Sequence, residues 1–290
     1  MEIIRTISWM KQASRGAWRQ ERVVGLVPTM GALHEGHLSL IREAKKQCSP
    51  VIVSIFVNPT QFGPNEDLAK YPRTFEADRK VLEDLQVDYL FAPAAEEMYP
   101  QGFRTSVTVE GLSDRLEGRS RPGHFRGVST VVLKLFEIAQ PHFAFFGRKD
   151  AQQSRILRQM AADLNLETQL VVCPIVREPD GLALSSRNAY LKGDERRSAT
   201  VLYRSLDAMR LEIEAGERDA ARLLAVIRSV FAAQPGAQLD YAEIVDADTF
   251  EPAMVVRKAS YALVAARVGA TRLIDNALIE SEGDTIRVTL

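Results

Sequence analysis

Short apolar runs alternate along the chain with longer stretches in which apolar positions return every three or four residues. The clearest run is Val51-Ile52-Val53-Ser54-Ile55-Phe56-Val57, nearly continuous in apolar residues, as a strand covered on both faces should be. Residues 23–27 read as another buried strand, and 88–91, 143–146 and 170–176 as further ones. Between them the helical period fits 36–46, 75–85, 128–139 and 151–164. In the first of these, Leu38, Ile41 and the stem of Lys45 share a face. Strands separated by helices predict right-handed crossovers and a parallel sheet. Residues 93–124 are irregular, with one short strand expected at 106–109. Trp9 and Trp18 are expected to pack an N-terminal helix.

The pattern changes after about residue 176. An amphipathic helix is predicted over 196–215, with Leu202, Leu206, Met209 and Ile213 on one face, and a second over 220–232. Three strands follow, at 241–245, 261–268 and 271–275. The expected class is therefore α/β: a parallel sheet flanked by helices over residues 1–175, then a smaller α+β domain over 176–290. A length of 290 residues suits two domains at roughly 100–200 residues each.

Charge and cysteine usage narrow the function classes. Lys and Arg number 37 against 38 Asp and Glu, so the chain lacks the basic excess of a nucleic-acid binder. Two cysteines, Cys48 and Cys173, cannot build a disulfide framework or a cysteine-based zinc site. Met1-Glu2-Ile3-Ile4-Arg5 places charges where a signal peptide needs its apolar run. No stretch approaches the roughly 18 uninterrupted apolar residues of a membrane helix. A cytoplasmic protein with neither membrane nor nucleic-acid partners is the expectation.

Of four histidines, His34 and His37 lie three residues apart in Pro28-Thr29-Met30-Gly31-Ala32-Leu33-His34-Glu35-Gly36-His37, between the first long strand and the first helix after it. In an open parallel sheet, ligands bind outside the carboxyl ends of the strands. Gly31 and Gly36 permit close backbone approach, and free N–H groups at a helix start suit phosphate. Two imidazoles at that spacing face the same way and can donate to phosphate oxygens. His-Glu-Gly-His is one residue short of the H-E-x-x-H zinc helix. Neither G-x-G-x-x-G nor the P-loop pattern occurs, and no G-x-S-x-G marks a hydrolase elbow.

Three more segments carry polar chemistry. Gly147-Arg148-Lys149-Asp150 with Gln153 occupies another strand-to-helix turn. Lys149 suits phosphate, and Asp150 suits ribose hydroxyls or a helix cap. Gly181 to Asn188 contains Ser185-Ser186-Arg187, two hydroxyls and a guanidinium fork able to grip a polyphosphate. Asn58-Pro59-Thr60-Gln61-Phe62 ends the strongest strand and offers the Gln61 amide.

Together and in this order, with Tyr71-Pro72-Arg73-Thr74, these segments resemble the pantoate–β-alanine ligases, or pantothenate synthetases, over nearly the whole chain. His-x-Gly-His alone marks only the broader nucleotidyltransferase superfamily. The resemblance implies a Rossmann-like nucleotidyltransferase domain, a C-terminal domain that lids the site, and a homodimer. It implies that ATP and pantoate form pantoyl adenylate and pyrophosphate, after which β-alanine displaces AMP to give pantothenate. Mg2+ accompanies the nucleotide. By position, Met30, Gly31, Ala32, Leu33, His34, Glu35, Gly36 and His37 would line the ATP site, with His37 the family's proton donor. Gly147, Arg148, Lys149, Asp150, Val176, Leu184, Ser185, Ser186 and Arg187 would complete it. Gln61 and Gln153 would hold pantoate, and Gln61 would also border β-alanine. Catalytic roles would fall to His37, His34, Lys149, Ser185, Ser186 and Arg187. Arg148, Ala151 and Leu184 differ from the residues usual in the family. The competing readings are a different His-x-Gly-His nucleotidyltransferase and a nucleotide sensor without turnover.

Overall fold

The computed structural model describes residues 1–64, 66–282 and 285–290. The chain forms two compact units. The first comprises Met1–Arg148 and Gln152–Pro174, the second Lys149–Ala151 and Ile175–Leu290.

The first unit is built on strands β1 (Glu2–Ile4), β2 (Gly25–Thr29), β3 (Val51–Ile55), β4 (Tyr89–Phe91), β5 (Phe143–Gly147) and β6 (Gln169–Cys173). All pair in parallel, in the order β1-β4-β3-β2-β5-β6. Helices α1 (Ile7–Arg19), α2 (Glu35–Gln47), α3 (Phe75–Asp84), α4 (Ala95–Met98), α5 (Glu117–Ser120), α6 (His124–Ala139) and α7 (Ala151–Asp163) punctuate the strands. Successive strand residues enter different cores. Leu26, Ile52, Phe91 and Phe146 join Met10, Val128 and Leu135 of α1 and α6. Their neighbours Val27, Val53, Leu90 and Phe145 join Ile41 and Leu82 of α2 and α3. Burial on both faces is why these strands read as unbroken apolar runs rather than alternations.

The second unit has helices α8 (Asp194–Ser198), α9 (Val201–Glu214) and α10 (Ala220–Ala232). They accompany the antiparallel strands β7 (Gln238–Asp246), β8 (Ser260–Val268), β9 (Thr271–Glu282) and β10 (Thr285–Thr289), ordered β10-β9-β8-β7. Leu202, Leu206, Met209, Leu223 and Ile227 pack with Val264, Ala266 and Ala277 of the sheet.

Several expectations need correction. Residues 106–109 form no strand; the Val107 N–H is taken by the Thr130 hydroxyl at 3.0 Å instead of a neighbouring strand. The helix expected over 196–215 is broken at Ala199 and Thr200, where the Thr200 hydroxyl bonds the Arg197 carbonyl, a local competitor of the helical ladder. Trp9 is 57% exposed, whereas Trp18 stacks on His142 at 3.9 Å and donates to the Gln140 carbonyl. Strands β1 and β10 were not anticipated. The first is only three residues long, too short to show a period, whereas the second, Thr285-Ile286-Arg287-Val288-Thr289, alternates β-branched residues and was a signal that could have been read.

Candidate active site

The order of strands places β2 between β3 and β5. From β2 the chain runs outward to β3 and then crosses back to β5, so the connection reverses between β2 and β5. The carboxyl ends at such a switch point leave a crevice, the favoured ligand position in open α/β sheets. The His34–His37 turn follows β2, and Gly147 closes β5.

The first turn is held from beneath by Asp78 of α3. Its carboxylate accepts from Ala32 N at 2.9 Å, Leu33 N at 2.8 Å and the Thr74 hydroxyl at 3.1 Å. Gly31 has φ +80, and a Cβ there would lie 3.0 Å from Asp78 Oδ2. Ala32 also adopts positive φ, at 50°, a conformation that the paired amide bonds to Asp78 help to hold. His34 sits in the N-cap position of α2 with extended backbone. Its ring and that of His37 lie 4.1 Å apart, tilted by 38°, as their three-residue spacing predicts. The His34 backbone N–H donates to His37 Nδ1 at 3.4 Å, so the proton of a neutral His37 ring resides on Nε2. Glu35 is exposed and pairs with Arg42, whose hydrogen bond holds its carboxyl below the usual range.

The second element is the turn after β3. Gln61 Nε2 donates to Met30 Sδ at 3.1 Å, bringing this turn to the first one. Buried Asn58 organises it. Asn58 Nδ2 donates to Gln61 Oε1 and to the Gly127 carbonyl, both at 3.1 Å. Its Oδ1 accepts from the Thr60 and Tyr99 hydroxyls, both at 2.9 Å. Gly127 of α6 must be glycine for this approach, since a Cβ would lie 2.4 Å from the Thr60 carbonyl oxygen.

His124 completes the support. Its Nδ1 lies 2.9 Å from the Gln61 carbonyl and its Nε2 3.0 Å from Arg121 Nη1. A carbonyl only accepts and a guanidinium only donates, so the ring carries its proton on Nδ1 and is neutral. Burial, aided by the Arg121 charge, lowers the His124 pKa to about 4. Arg121 in turn grips Glu66 with two bonds, at 2.8 and 2.5 Å. Sequence reasoning missed Asp78, Asn58 and His124 as supports. Asn58 before Pro59 was the one legible signal, a residue type that bonds local backbone.

On α7, Gln152 is spent on structure: it bonds Glu117 N, Leu112 O and Arg115 O. Gln153 beside it is half-buried. Arg148 is buried in the short helical turn Arg148–Asp150.

In the second unit, residues 176–184 form a small hairpin. Leu184 N donates to Val176 O, Glu178 N to Leu182 O, and Arg177 bridges to Ala183. It delivers Ser185, whose hydroxyl accepts from Arg187 N at 3.3 Å and caps the turn Ser186–Tyr190. Ion pairs anchor it. Arg177 grips the buried Asp275 carboxylate at 2.7 and 3.1 Å, and Arg196 reaches Glu178 and Asp180, both at 2.7 Å. Lys149 Nζ lies 3.9 Å from Asp150.

The sheet thus carries His34-Glu35-Gly36-His37 at a helix start beside its switch point, the geometry of a ligand-binding α/β enzyme. The family profile for pantoate-beta-alanine ligase matches residues 2–278. A pantothenate synthetase from Koribacter versatilis is 54% identical over 98% of both chains. One from Thermotoga neapolitana is 53% identical over 96% of this chain and all of its own. Among solved structures, the pantothenate synthetase of Thermus thermophilus superposes with a TM-score of 0.91 at 46% identity, covering 95% of this chain and 98% of that one. A pantoate-beta-alanine ligase from Francisella tularensis, crystallised with beta-gamma ATP and beta-alanine, gives 0.80 at 38% identity, covering 96% and 97%. The chain belongs to the pantoate-beta-alanine ligase family, and it is a ligase.

Proposed function

We propose that the turns after β2, β3 and β5, together with the Ser185–Arg187 turn, carry out in this chain the ATP-dependent condensation of pantoate with β-alanine. The observation that carries this assignment is the meeting of Gln61 with Met30 beside the His34–His37 pair, at the switch point of a parallel sheet.

In the first step the pantoate carboxylate attacks the α-phosphorus of ATP, and pyrophosphate leaves. The carboxylate is already ionised at neutral pH, so position matters more than a base. Good alignment supplies about 7–11 kcal/mol. Gln61 and Gln153 orient pantoate, and as neutral amides they add no competing charge. Met30, Gly31, Ala32 and Leu33 line the nucleotide, with Glu35 and Gly36 contributing backbone. Val176 lies against adenine, Asp150 binds ribose, and Leu184 begins the segment that closes over the phosphates. His34, His37, Lys149, Ser185, Ser186 and Arg187 face the phosphates, and Gly147 and Arg148 belong to the ATP-binding turn that carries Lys149. His37, protonated on Nε2, and Lys149 meet the charge growing on pyrophosphate. One such preorganised donor is worth about 3–4 kcal/mol. The dipole of α2 adds roughly 0.3–1 kcal/mol, so the side chains dominate. In the second step the neutral amine of β-alanine, bordered by Gln61, attacks the acyl carbon. AMP departs with the bonding electrons, and the amine loses its proton as the amide forms.

Magnesium is the proposed divalent ion, neutralising triphosphate charge. Magnesium often binds mainly through substrate phosphates and water, so it would not need a dedicated protein cage. No protein ligand is assigned to it. The first domain, residues 1–175, takes ATP and pantoate, and the second, 176–290, serves as the lid. A homodimer working in the cytoplasm is proposed. Among the described residues no helix is long and apolar enough to cross a membrane.

The deciding experiment is exchange of labelled pyrophosphate into ATP. Exchange should require pantoate, and AMP release should then require β-alanine. Exchange supported equally by unrelated acids, or none despite tight ATP binding, would point to another nucleotidyltransferase or to a sensor.

A further inference from the structure

We infer that Asp275 and Asn276, consecutive residues of β9, are positioning residues that hold Lys149 and the Ser185–Arg187 turn in register with each other. The inference rests on the phosphate-directed roles proposed for those residues. Asn276 Nδ2 donates to the Lys149 carbonyl at 2.9 Å, across 127 residues of chain. Asp275 holds Arg177, the first arm of the hairpin that presents Ser185, at 2.7 and 3.1 Å. Arg177 Nη1 also donates to the Gly181 carbonyl at 3.0 Å, fixing the hairpin tip. The two anchors are themselves joined, since Asn276 N donates to Asp275 Oδ1 at 2.8 Å.

Both side chains are buried, in a strand whose neighbours Leu273, Ala277 and Ile279 are apolar core. An apolar pair there would avoid the desolvation cost of an amide and a carboxylate. What the polar pair gains is attachment. Lys149–Ala151 run from just after β5 into the first residue of α7, yet they group with the second unit. A lysine ammonium on a four-carbon stem searches a volume set by its backbone, so a fixed carbonyl narrows that search. β9 thereby ties one phosphate-directed backbone segment to Asn276 and the other, through Arg177, to Asp275.

The test uses Asn276→Ala and the isosteric Asn276→Asp, which lacks the donor, in the full chain. Pantoate-dependent ATP–pyrophosphate exchange should fall about tenfold, the cost of a modest misplacement. Attack of β-alanine on preformed pantoyl adenylate, which involves no pyrophosphate, should keep its rate. The double variant with Lys149→Ala should be no slower than Lys149→Ala alone, because Asn276 acts through Lys149. A merely structural role would slow both half-reactions and would add to the Lys149 effect. Unchanged exchange in both Asn276 variants, equal loss in the two half-reactions, or additivity with Lys149→Ala would overturn the inference. Normal exchange in Lys149→Ala would instead overturn the assignment of Lys149 itself.

Discussion

The Gln61 turn and the Ser185–Arg187 turn are supported in opposite styles. Gln61 is held mainly by neutral groups: the Asn58 amide, the glycine approach at Gly127 and a neutral His124. The ion pair of Arg121 with Glu66 reaches the turn through that uncharged ring and through one longer bond, from Arg121 Nη2 to the Gln61 carbonyl at 3.5 Å. The Ser185 hairpin is held by charges, with Arg177 on Asp275 and Arg196 on Glu178 and Asp180. Each style suits what the turn is proposed to meet. A turn that orients a small hydroxy acid works best without a competing charge. A turn proposed to meet a triphosphate sits in charged surroundings in any case, and its anchors add no net positive charge, because Arg177 is matched by Asp275 and Arg196 by Glu178 and Asp180.

The sharpest way to break this contrast is to remove a charge from the second support. Asp275→Ala leaves Arg177 without its buried carboxylate and should cost about 3–5 kcal/mol of stability by urea unfolding. A loss under about 1 kcal/mol would mean that packing, not charge, holds the hairpin. The chemistry itself should respond nearly as strongly. His37→Ala should lower exchange turnover at least about 100-fold with an unchanged melting temperature. Near-normal turnover would remove His37 from the reaction.

The smallest effect tests the neutral support. With His124 near pKa 4 when folded and 6.5 when free, the unfolded chain binds more protons between those values. Stability from this residue is therefore complete above about pH 6.5 and is lost as pH falls toward 4. Between pH 7 and pH 5 the loss should be about 2 kcal/mol. His124→Asn keeps a donor for the Gln61 carbonyl but does not titrate, so its stability should lose that pH dependence while pantoate KM stays near the parent value. An identical pH profile in this variant would remove His124 as its source.

Much of this architecture was legible in one dimension. Strand β3 and helices α2, α3 and α10 fall close to where apolar periodicity placed them, because each buries a broad face and must write that face into its sequence. Elements bound mainly through backbone, β1 above all, leave little such trace. The same distinction runs through the site. His34, His37, Gln61 and Lys149 were visible because turn chemistry and spacing mark them locally. Asp78, His124, Asp275 and Asn276 were not, because each acts on a residue distant in sequence, and one residue contributes no periodicity; Asn58 was marked only by its place before Pro59.

The sequence by itself determined the alternation of strand and helix, the change of character near residue 176 and the identity of the polar turns. These follow from local burial and from backbone chemistry within a few residues. Tertiary structure alone decided that the turn after β3 meets the turn after β2, that a histidine outside both turns is neutral and bonded to Gln61, and that Lys149 groups with the second unit. Such facts depend on contacts between residues far apart in the chain, up to 127 positions for Asn276 and Lys149, whose partners are chosen by the packing of whole elements.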